Sequence, residues 1–115
     1  MSVQVTVNMN NTQTLIVLFN LKKDILEEDY EQFARNIDFP LIKRLASNRS
    51  FKILKATGLF GTSASPPYQY IEVMEVSSFE DLAIDIEQPH VQSMLSQFSS
   101  FADNPQLILT SQINN

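Results

Sequence analysis

The sequence lacks several residue types on which common functional sites depend. Its 115 residues include no Cys and one His, which excludes disulfides, thiolate metal sites and zinc or copper clusters with the usual ligand spacing. It has two glycines, and neither a GxGxxG nor a GxxxxGKS/T phosphate-binding loop occurs. We therefore expect no metal and no organic cofactor.

Basic residues and long apolar runs are also scarce. The chain has 8 Lys and Arg against 13 Asp and Glu, and its net charge of −5 disfavours partners such as nucleic acid or an anionic membrane. No apolar run approaches the ~20 residues of a membrane-spanning helix. The N-terminus MSVQVTVNMNNTQT has neither the basic nor the apolar region of a signal peptide. We expect a cytoplasmic protein.

Apolar residues make up 43% of the chain, enough for one folded domain of this length. Residues 1–13 are polar and predict a flexible N-terminal arm, with a short edge strand as the alternative because VQVTV alternates; a single domain follows over residues 14–115. The first strand is predicted in TLIVLFNLK, whose five consecutive apolar residues indicate a strand buried on both faces. Further strands are predicted in SNRSFKILKATGLFG, PYQYIEVMEV and, after a turn at DNP, QLILTSQI.

Helical patterns lie between these strands. The spacing of apolar residues predicts a core-facing stripe on the first helix, formed by Leu26, Tyr30, Phe33 and Ile37. Two capping boxes are predicted, Asp24 with Glu27 and Ser77 with Glu80. Pro40 predicts a break near DFP, with a second helical piece over residues 41–46, and Pro89 suits the first turn of a further helix.

The order βαββαβ predicts an α+β, ferredoxin-like fold, in which helices cover one face of an antiparallel four-stranded sheet. The second face then needs a cover, because residues 15–19 and 107–109 are apolar on both faces. The simplest cover is the sheet of a second copy, so we predict a homodimer of the dimeric α+β barrel type. The alternative is a monomer with an unusually large exposed apolar patch.

Glu72 is the first candidate functional residue. Strand alternation puts it on one face with Tyr70 and Met74, in the middle of a strand whose faces are both covered. Burial would raise the pKa of its carboxyl group towards the range that a general acid or base needs. A structural ion pair with Arg49 or a Lys is the other interpretation.

The segment ARNIDFP holds two further candidates. Arg35 and Asp38 are three residues apart at the end of the first helix, so they can share one helical face. An exposed pair of small value is one interpretation. A site at the point where Pro40 breaks the helix is the other.

Two more polar residues and a group of aromatic residues complete the candidates. Arg49 precedes the second strand and could anchor an anionic or carbonyl group, or solvate a turn. His90 follows Pro89 at a helix start, where a surface position is common and a role as a neutral base is the alternative. Tyr30, Tyr68 and Tyr70 are expected mostly in the core, and a pocket lined by them would suit a flat aromatic ligand.

Five segments in order resemble the REDY-like/HapK family of the dimeric α+β barrel superfamily: LFNLK, YEQFARNIDFP, RSFKILKATGLFG, PYQYIEV and PHVQSMLSQFSSFAD. The resemblance spans Leu15 to Ile113. It implies a link to prodigiosin-type pyrrole pigment or related alkaloid pathways. It also implies relatives that include cofactor-free monooxygenases, cyclases and isomerases. His90 matches no motif of the family.

The resemblance implies site candidates within these segments: Arg35 and Asp38 in ARNIDFP, Arg49 in RSF, and Tyr70 and Glu72 in YQYIEV. The leading hypothesis is a small cofactor-independent tailoring or cyclisation enzyme that binds a flat heteroaromatic intermediate. Asp38 or Glu72 would move a proton, with Arg35 as a further catalytic residue, and Arg49, Tyr70, Tyr30 and His90 would bind the substrate. A non-catalytic carrier of such an intermediate and a ligand-free dimeric regulatory module are the alternatives.

Overall fold

The computed structural model describes residues 11–114. Its elements in chain order are β1 Gln13–Leu21, α1 Glu27–Phe33, a π-helical segment Ala34–Asp38, α2 Phe39–Lys43, β2 Asn48–Lys55, β3 Tyr70–Val76, α3 Phe79–Ile86, α4 Pro89–Phe101 and β4 Ala102–Leu109. Residues 1–10 of the expected N-terminal arm lie outside the described residues, and Gln13 is the first residue of β1.

The four strands form one antiparallel sheet in the order β2-β3-β1-β4. This order and the βαββαβ succession confirm the predicted ferredoxin-like α+β fold. The last strand begins four residues earlier than predicted, at Ala102, so that DNP lies inside β4. Asn104 has a φ of 46°, and the register with β1 shifts between Leu18 and Asn20. The predicted turn is therefore a bulge, which an edge strand tolerates.

Neither predicted capping box forms. Asp24 lies in a turn with a φ of 71°, and α1 starts three residues later with no side-chain cap. At α3 the cap is Ser78, whose Oγ accepts a hydrogen bond from the Asp81 backbone N–H at 3.0 Å. A local spacing can be satisfied by more than one neighbouring serine, and the path of the chain out of β3 selects which one.

The helices lie on one face of the sheet, and the core fills the space between the two layers. Phe19 is fully buried at its centre. Its ring packs edge-on against Tyr30 and Phe98, with centroids 5.3 and 5.0 Å apart, and stacks on Tyr70 at 5.5 Å. Burial of one such ring contributes about 2–3 kcal/mol. Rings from two strands and two helices thus fix the helices on the sheet.

The opposite face of the sheet carries apolar side chains that no helix or strand within residues 11–114 covers. They come from all four strands: Ile16, Leu18, Leu54, Ile71, Val73 and Ile108. Leu54 is 46% exposed and Ile108 is 42% exposed. None of the helices in this part of the chain is long and apolar enough to cross a lipid bilayer.

Candidate functional site

Glu72 lies in the middle of β3 and faces the helices. The predicted alternation is confirmed, since Tyr70, Met74 and Val76 are buried on the same face as Glu72. The neighbouring strands place Val17 and Ile53 beside it. A carboxyl group therefore stands among apolar neighbours because the strand register puts it there.

Asp38 reaches the same interior from the π-helical segment. The backbone N–H of Phe39 donates to the Ala34 carbonyl, five residues back, which is the wider turn of a π-helix. A regular α-helix would place Ile37, four residues after Phe33, on the core face. Here Ile37 is 39% exposed and Asp38 is 3% exposed. The predicted stripe is therefore wrong at its last position, because the π turn moves it along by one residue. It is also wrong at its first position, since Leu26 precedes α1 and is 64% exposed.

The same wide turn separates two residues that the sequence placed together. Arg35 was expected on one helical face with Asp38, but its side chain is 65% exposed and donates to Glu31 at 3.3 Å. In a π turn, the side chains of residues three apart are separated by a larger angle about the helix axis than in an α-helix. The expected shared face of Arg35 and Asp38 does not form.

The two buried carboxyl groups line one interior cavity of about 90 Å³ between the sheet and the helices. Apart from Asp38 and Glu72 its wall is apolar, with side chains such as Phe51, Met74, Met94 and Phe98. It reaches the edge strand β4 at Leu107, which is 61% exposed. Asp38 Oδ2 is buried without a hydrogen-bond partner among residues 11–114.

The electrostatics of this cavity favour protonated carboxyl groups. Burial raises the pKa of Asp38 to about 7. Burial, and after it the charge of Asp38, raises the pKa of Glu72 to about 8, against a hydrogen bond from Tyr30 that lowers it. Two like groups in one site titrate as a pair. The pair therefore retains at least one proton near neutral pH and can both donate and accept one.

Within residues 11–114, the Tyr30 hydroxyl is the one that bonds to the pair. Its O–H donates to Glu72 Oε2 at a long 3.4 Å. Burial, and then the charges of Glu72 and Asp38, raise the pKa of Tyr30. Neither carboxyl group forms an ion pair with a Lys or Arg in the part of the chain that the structure describes. The structural ion pair considered for Glu72 is thus not found there.

A second, more open cleft of about 160 Å³ lies beside this cavity, between α1, the π-helical segment and the β2–β3 edge. We call it the outer cleft; it is lined by Tyr30, Glu31, Ala34, Arg35, Phe39, Ile53, Lys55 and Tyr70. Lys55 Nζ lies 3.0 Å from Glu27 and 2.9 Å from Glu31. The Tyr70 hydroxyl donates to Glu31 at 2.7 Å.

The structure distributes the sequence candidates over different places. Tyr30, Tyr70 and Arg35 line the outer cleft, and the Tyr30 hydroxyl reaches Glu72 in the wall of the interior cavity. Arg49 is exposed and donates to the Ala46 and Asn48 carbonyls, away from the cavity lining. His90 is exposed in a shallow depression with Pro40 and Arg44. The functional roles proposed for all of these residues stay predictions.

Glu31 and Lys55 were missed by the sequence reasoning. The spacing of Glu31 and Arg35 by four residues was an available signal. Nothing local in the sequence connects Lys55 with α1, because the contact depends on β2 pairing with β3 so that Lys55 lies opposite Tyr70. No cluster of three or more acidic or His side chains suited to a metal ion occurs within residues 11–114.

The fold and the buried pair define a ferredoxin-like α+β domain with a carboxyl-lined interior cavity. Within that class, the chain belongs to the REDY-like HapK family, whose pattern it matches over residues 13–113. This confirms the resemblance stated from the five segments. No curated protein matches the sequence at a significant level.

Many solved structures are similar, and the following are three of them. HapK from Hahella chejuensis is 21% identical with a TM-score of 0.74, over 90% of this chain and 94% of that one. A dimeric ferredoxin-like protein of unknown function from Thermobifida fusca is 12% identical, TM-score 0.71, over 90% and 93%. SnoaB, a cofactor-independent oxygenase from Streptomyces nogalater, is 9% identical, TM-score 0.71, over 90% and 95%. At these identities the likeness shows a shared fold.

Proposed function

We propose that the protein is a cofactor-independent tailoring enzyme that moves a proton on a small, flat heteroaromatic intermediate of secondary metabolism. The observation that carries the proposal is the pair of buried carboxyl groups, Asp38 and Glu72, in an otherwise apolar cavity. Pyrrole or indole compounds of prodigiosin-type or related alkaloid pathways are the substrate class that the family resemblance suggests.

The cavity would have to enlarge to hold a ligand of one aromatic ring. An apolar cavity of about 150 Å³ in another protein binds benzene, and this one holds about 90 Å³ before any movement of its walls. Its apolar lining favours a ring over a charged ligand. The two carboxyl groups then supply the few polar contacts that orient a ring N–H or a carbonyl.

The proposed step is an isomerisation or cyclisation in which no electrons are exchanged with an oxidant. The ionised carboxylate of the pair takes a proton from a C–H or N–H of the ligand, and the protonated partner gives a proton to another ligand atom. The proton count is unchanged after one cycle, once the proton returns between Asp38 and Glu72. A carboxyl pair with pKa values near neutrality suits both halves of this exchange.

The other candidates take different parts in this proposal. Tyr30 holds the Glu72 carboxyl in place through its hydroxyl. Arg35 and Tyr70 contact ligand only from the outer cleft. Arg49 and His90 are assigned no step, because their surroundings are separate from the cavity. SnoaB supports the cofactor-free part of the proposal, since it carries out oxygenation in this fold without a cofactor.

We also propose that the open sheet face is covered by a second copy of this chain. The support is the apolar character of that face and the description of the Thermobifida fusca neighbour as dimeric. A lysine at the centre of the face, as in Val73→Lys, should dissociate the dimer in native mass spectrometry, whereas Leu26→Lys at an exposed turn should not. A parent protein that is monomeric at micromolar concentration would refute this part.

The enzyme proposal is tested first on the ligand. Native mass spectrometry of the protein purified from its own cells reports any retained small molecule, which then serves as substrate. Asp38→Asn and Glu72→Gln should each keep its binding within about threefold and lower turnover by about 10²- to 10⁴-fold. Glu28→Gln, at an exposed position of α1, is the matched control.

Two other results would each replace the proposal. A molecule that binds and leaves unchanged, with affinity lowered by Phe98→Ala and not by the carboxamide variants, would indicate a carrier. A protein that retains no molecule and shows no thermal shift with indole or pyrrole would indicate a ligand-free module.

A further inference from the structure

The two spaces described above have no lining residue in common within residues 11–114, and Tyr30 connects them by lining one and bonding to a residue of the other. Tyr30 is fully buried, forms part of the floor of the outer cleft, and points its hydroxyl at Glu72 in the interior cavity. Its ring therefore stands between a cleft that is open to solvent and the carboxyl pair. Its hydrogen bond to Glu72, at 3.4 Å, is longer than the usual range for a hydroxyl donor and an oxygen acceptor, so it holds Tyr30 weakly.

At the rim of the outer cleft, above Tyr30, polar side chains connect α1 to the sheet. Glu31 Oε2 accepts from the Tyr70 hydroxyl at 2.7 Å and lies 2.9 Å from Lys55 Nζ. Lys55 also contacts Glu27 at 3.0 Å. These contacts join α1 to β2 and β3 across the cleft, on the helix that carries Tyr30.

This connection is suited to opening. α1 has seven residues and no side-chain cap, and a π turn follows it directly. The side chains of Lys55 and Glu27 are about half exposed, at 47% and 50%. Exposed ion pairs contribute little net stability and are weakened by salt. The contacts of Lys55 therefore add little to the stability of the closed cleft.

We propose that the outer cleft is the access route to the carboxyl pair, that Tyr30 is its inner wall, and that Glu31 and Lys55 are the positioning residues that hold this wall closed. The inference rests on the proposed function, because an access route matters only if the carboxyl pair is the reacting site. When the rim contacts break and Tyr30 leaves Glu72, the cleft and the cavity become one space larger than either.

The competing route is the apolar end of the cavity at Leu107. A ligand that enters there passes no charged group. The two routes therefore differ in their response to loss of Lys55 and to salt, and this difference decides the test.

The first experiment needs no ligand. In a Tyr68→Phe background the fluorescent tyrosines are Tyr30 and Tyr70, because the chain has three Tyr and no Trp. Acrylamide quenching then reports how often the wall opens. Lys55→Gln should raise the quenching constant by about two- to fivefold, the factor that the loss of exposed ion pairs implies. The quenching constant of the parent should rise similarly in 1 M salt, where the Debye length falls to about 3 Å.

The controls are matched in charge. Lys23→Gln removes an exposed Lys that forms no ion pair in the described part of the chain, and should quench like the parent. Lys55→Gln should show no further response to salt. Equal quenching in Lys55→Gln and the parent would overturn the inference.

The second experiment follows a ligand. Indole is the probe, because it can be excited selectively in a protein without Trp. In stopped-flow measurements Lys55→Gln and Glu31→Gln should raise the association and dissociation rates by the same factor and leave Kd unchanged. Glu28→Gln is the control for Glu31→Gln. If Glu31 and Lys55 affected only stability, their variants would change Kd or the melting temperature without changing the association and dissociation rates by the same factor.

The outcomes separate the two proposals. Indole rates that are unchanged in both variants place entry at Leu107 and overturn the inference. If neither indole nor the smaller pyrrole binds the parent, the proposed cavity ligand fails, and the quenching result still decides whether Glu31 and Lys55 hold the wall.

Discussion

Two glutamates in this molecule each accept a hydrogen bond from a tyrosine hydroxyl, yet their acidities change in opposite directions. Glu72 accepts from Tyr30 in the interior, and burial and the charge of Asp38 raise its pKa to about 8. Glu31 accepts from Tyr70 at the surface, and this bond, followed by the contact with Lys55, lowers its pKa.

The contrast shows that the tyrosine does not decide the protonation state. Both hydroxyls favour the ionised form, as a donated hydrogen bond does. The difference is the solvent and the neighbouring charge, because Glu72 loses water and gains a second carboxyl group, whereas Glu31 keeps water and gains an ammonium group. The interior pair is thereby prepared for proton exchange and the surface group for holding two layers together.

The strongest way to break the contrast is to remove the interior charges. The native pKa of Asp38, about 7, lies above the ordinary 3.8, so the folded state binds more protons and stability is lost as pH rises from about 4 to about 8. The loss comes to several kcal/mol and belongs to the pair of Asp38 and Glu72 together, because the two groups titrate as one unit. Urea unfolding from pH 4 to 9 should show this slope.

The double variant Asp38→Asn/Glu72→Gln should flatten this dependence and be more stable than the parent above pH 8. Glu31→Gln tests the other member of the comparison. Its lowered pKa contributes stability that is present above the ordinary pKa and lost as pH falls, so that variant should lose stability at neutral pH and not in acid. A parent whose stability rises between pH 5 and 8 would contradict the proposed state of the pair.

Removal of the interior hydroxyl should have the next largest effect. Tyr30→Phe leaves the ring packing in place and removes the donor to Glu72, so the pKa of Glu72 should rise further. The cost in stability should be about 1–2 kcal/mol at pH 9, where Glu72 is ionised, and less at pH 5. Carboxyl carbon NMR titration and urea unfolding at the two pH values measure both.

The matched surface variant should lower the free energy of unfolding by less than Tyr30→Phe does. Tyr70→Phe removes the donor to Glu31, which can turn to water, and we expect a cost of about 1 kcal/mol or less. The pKa of Glu31 should rise towards its ordinary value in an NMR titration. Equal costs for Tyr30→Phe and Tyr70→Phe at pH 9 would remove the distinction between the two sites.

The smallest effect is expected from Lys55→Gln. The contacts of Lys55 with Glu27 and Glu31 are exposed, so the melting temperature should change little. The pKa of Glu31 should rise, and this pKa should no longer depend on the salt concentration. A large drop in melting temperature would mean that the rim is a structural element and not a latch that opens.

Much of the fold could be predicted because its signals are local. Alternation put Glu72 on the buried face of its strand, and the succession of patterns gave the βαββαβ order. Asp38 was predicted beside the helix break. Its burial was not predicted, since the helical stripe gave that position to Ile37.

Other features depended on contacts between distant residues. The DNP turn became a bulge because β4 pairs with β1 through it. The Lys55 contacts with α1 exist because β2 and β3 pair in one register and α1 packs over their edge. No window of the sequence contains both partners, so no local pattern could predict them.

By itself, the sequence determined which strand carries a carboxyl group into the core, because side chains alternate along any strand whatever surrounds it. Only the tertiary structure decided that Asp38 joins Glu72 there while Arg35 turns outward. That outcome requires one wide helical turn before Pro40, which brings Asp38 and not Ile37 to the core face.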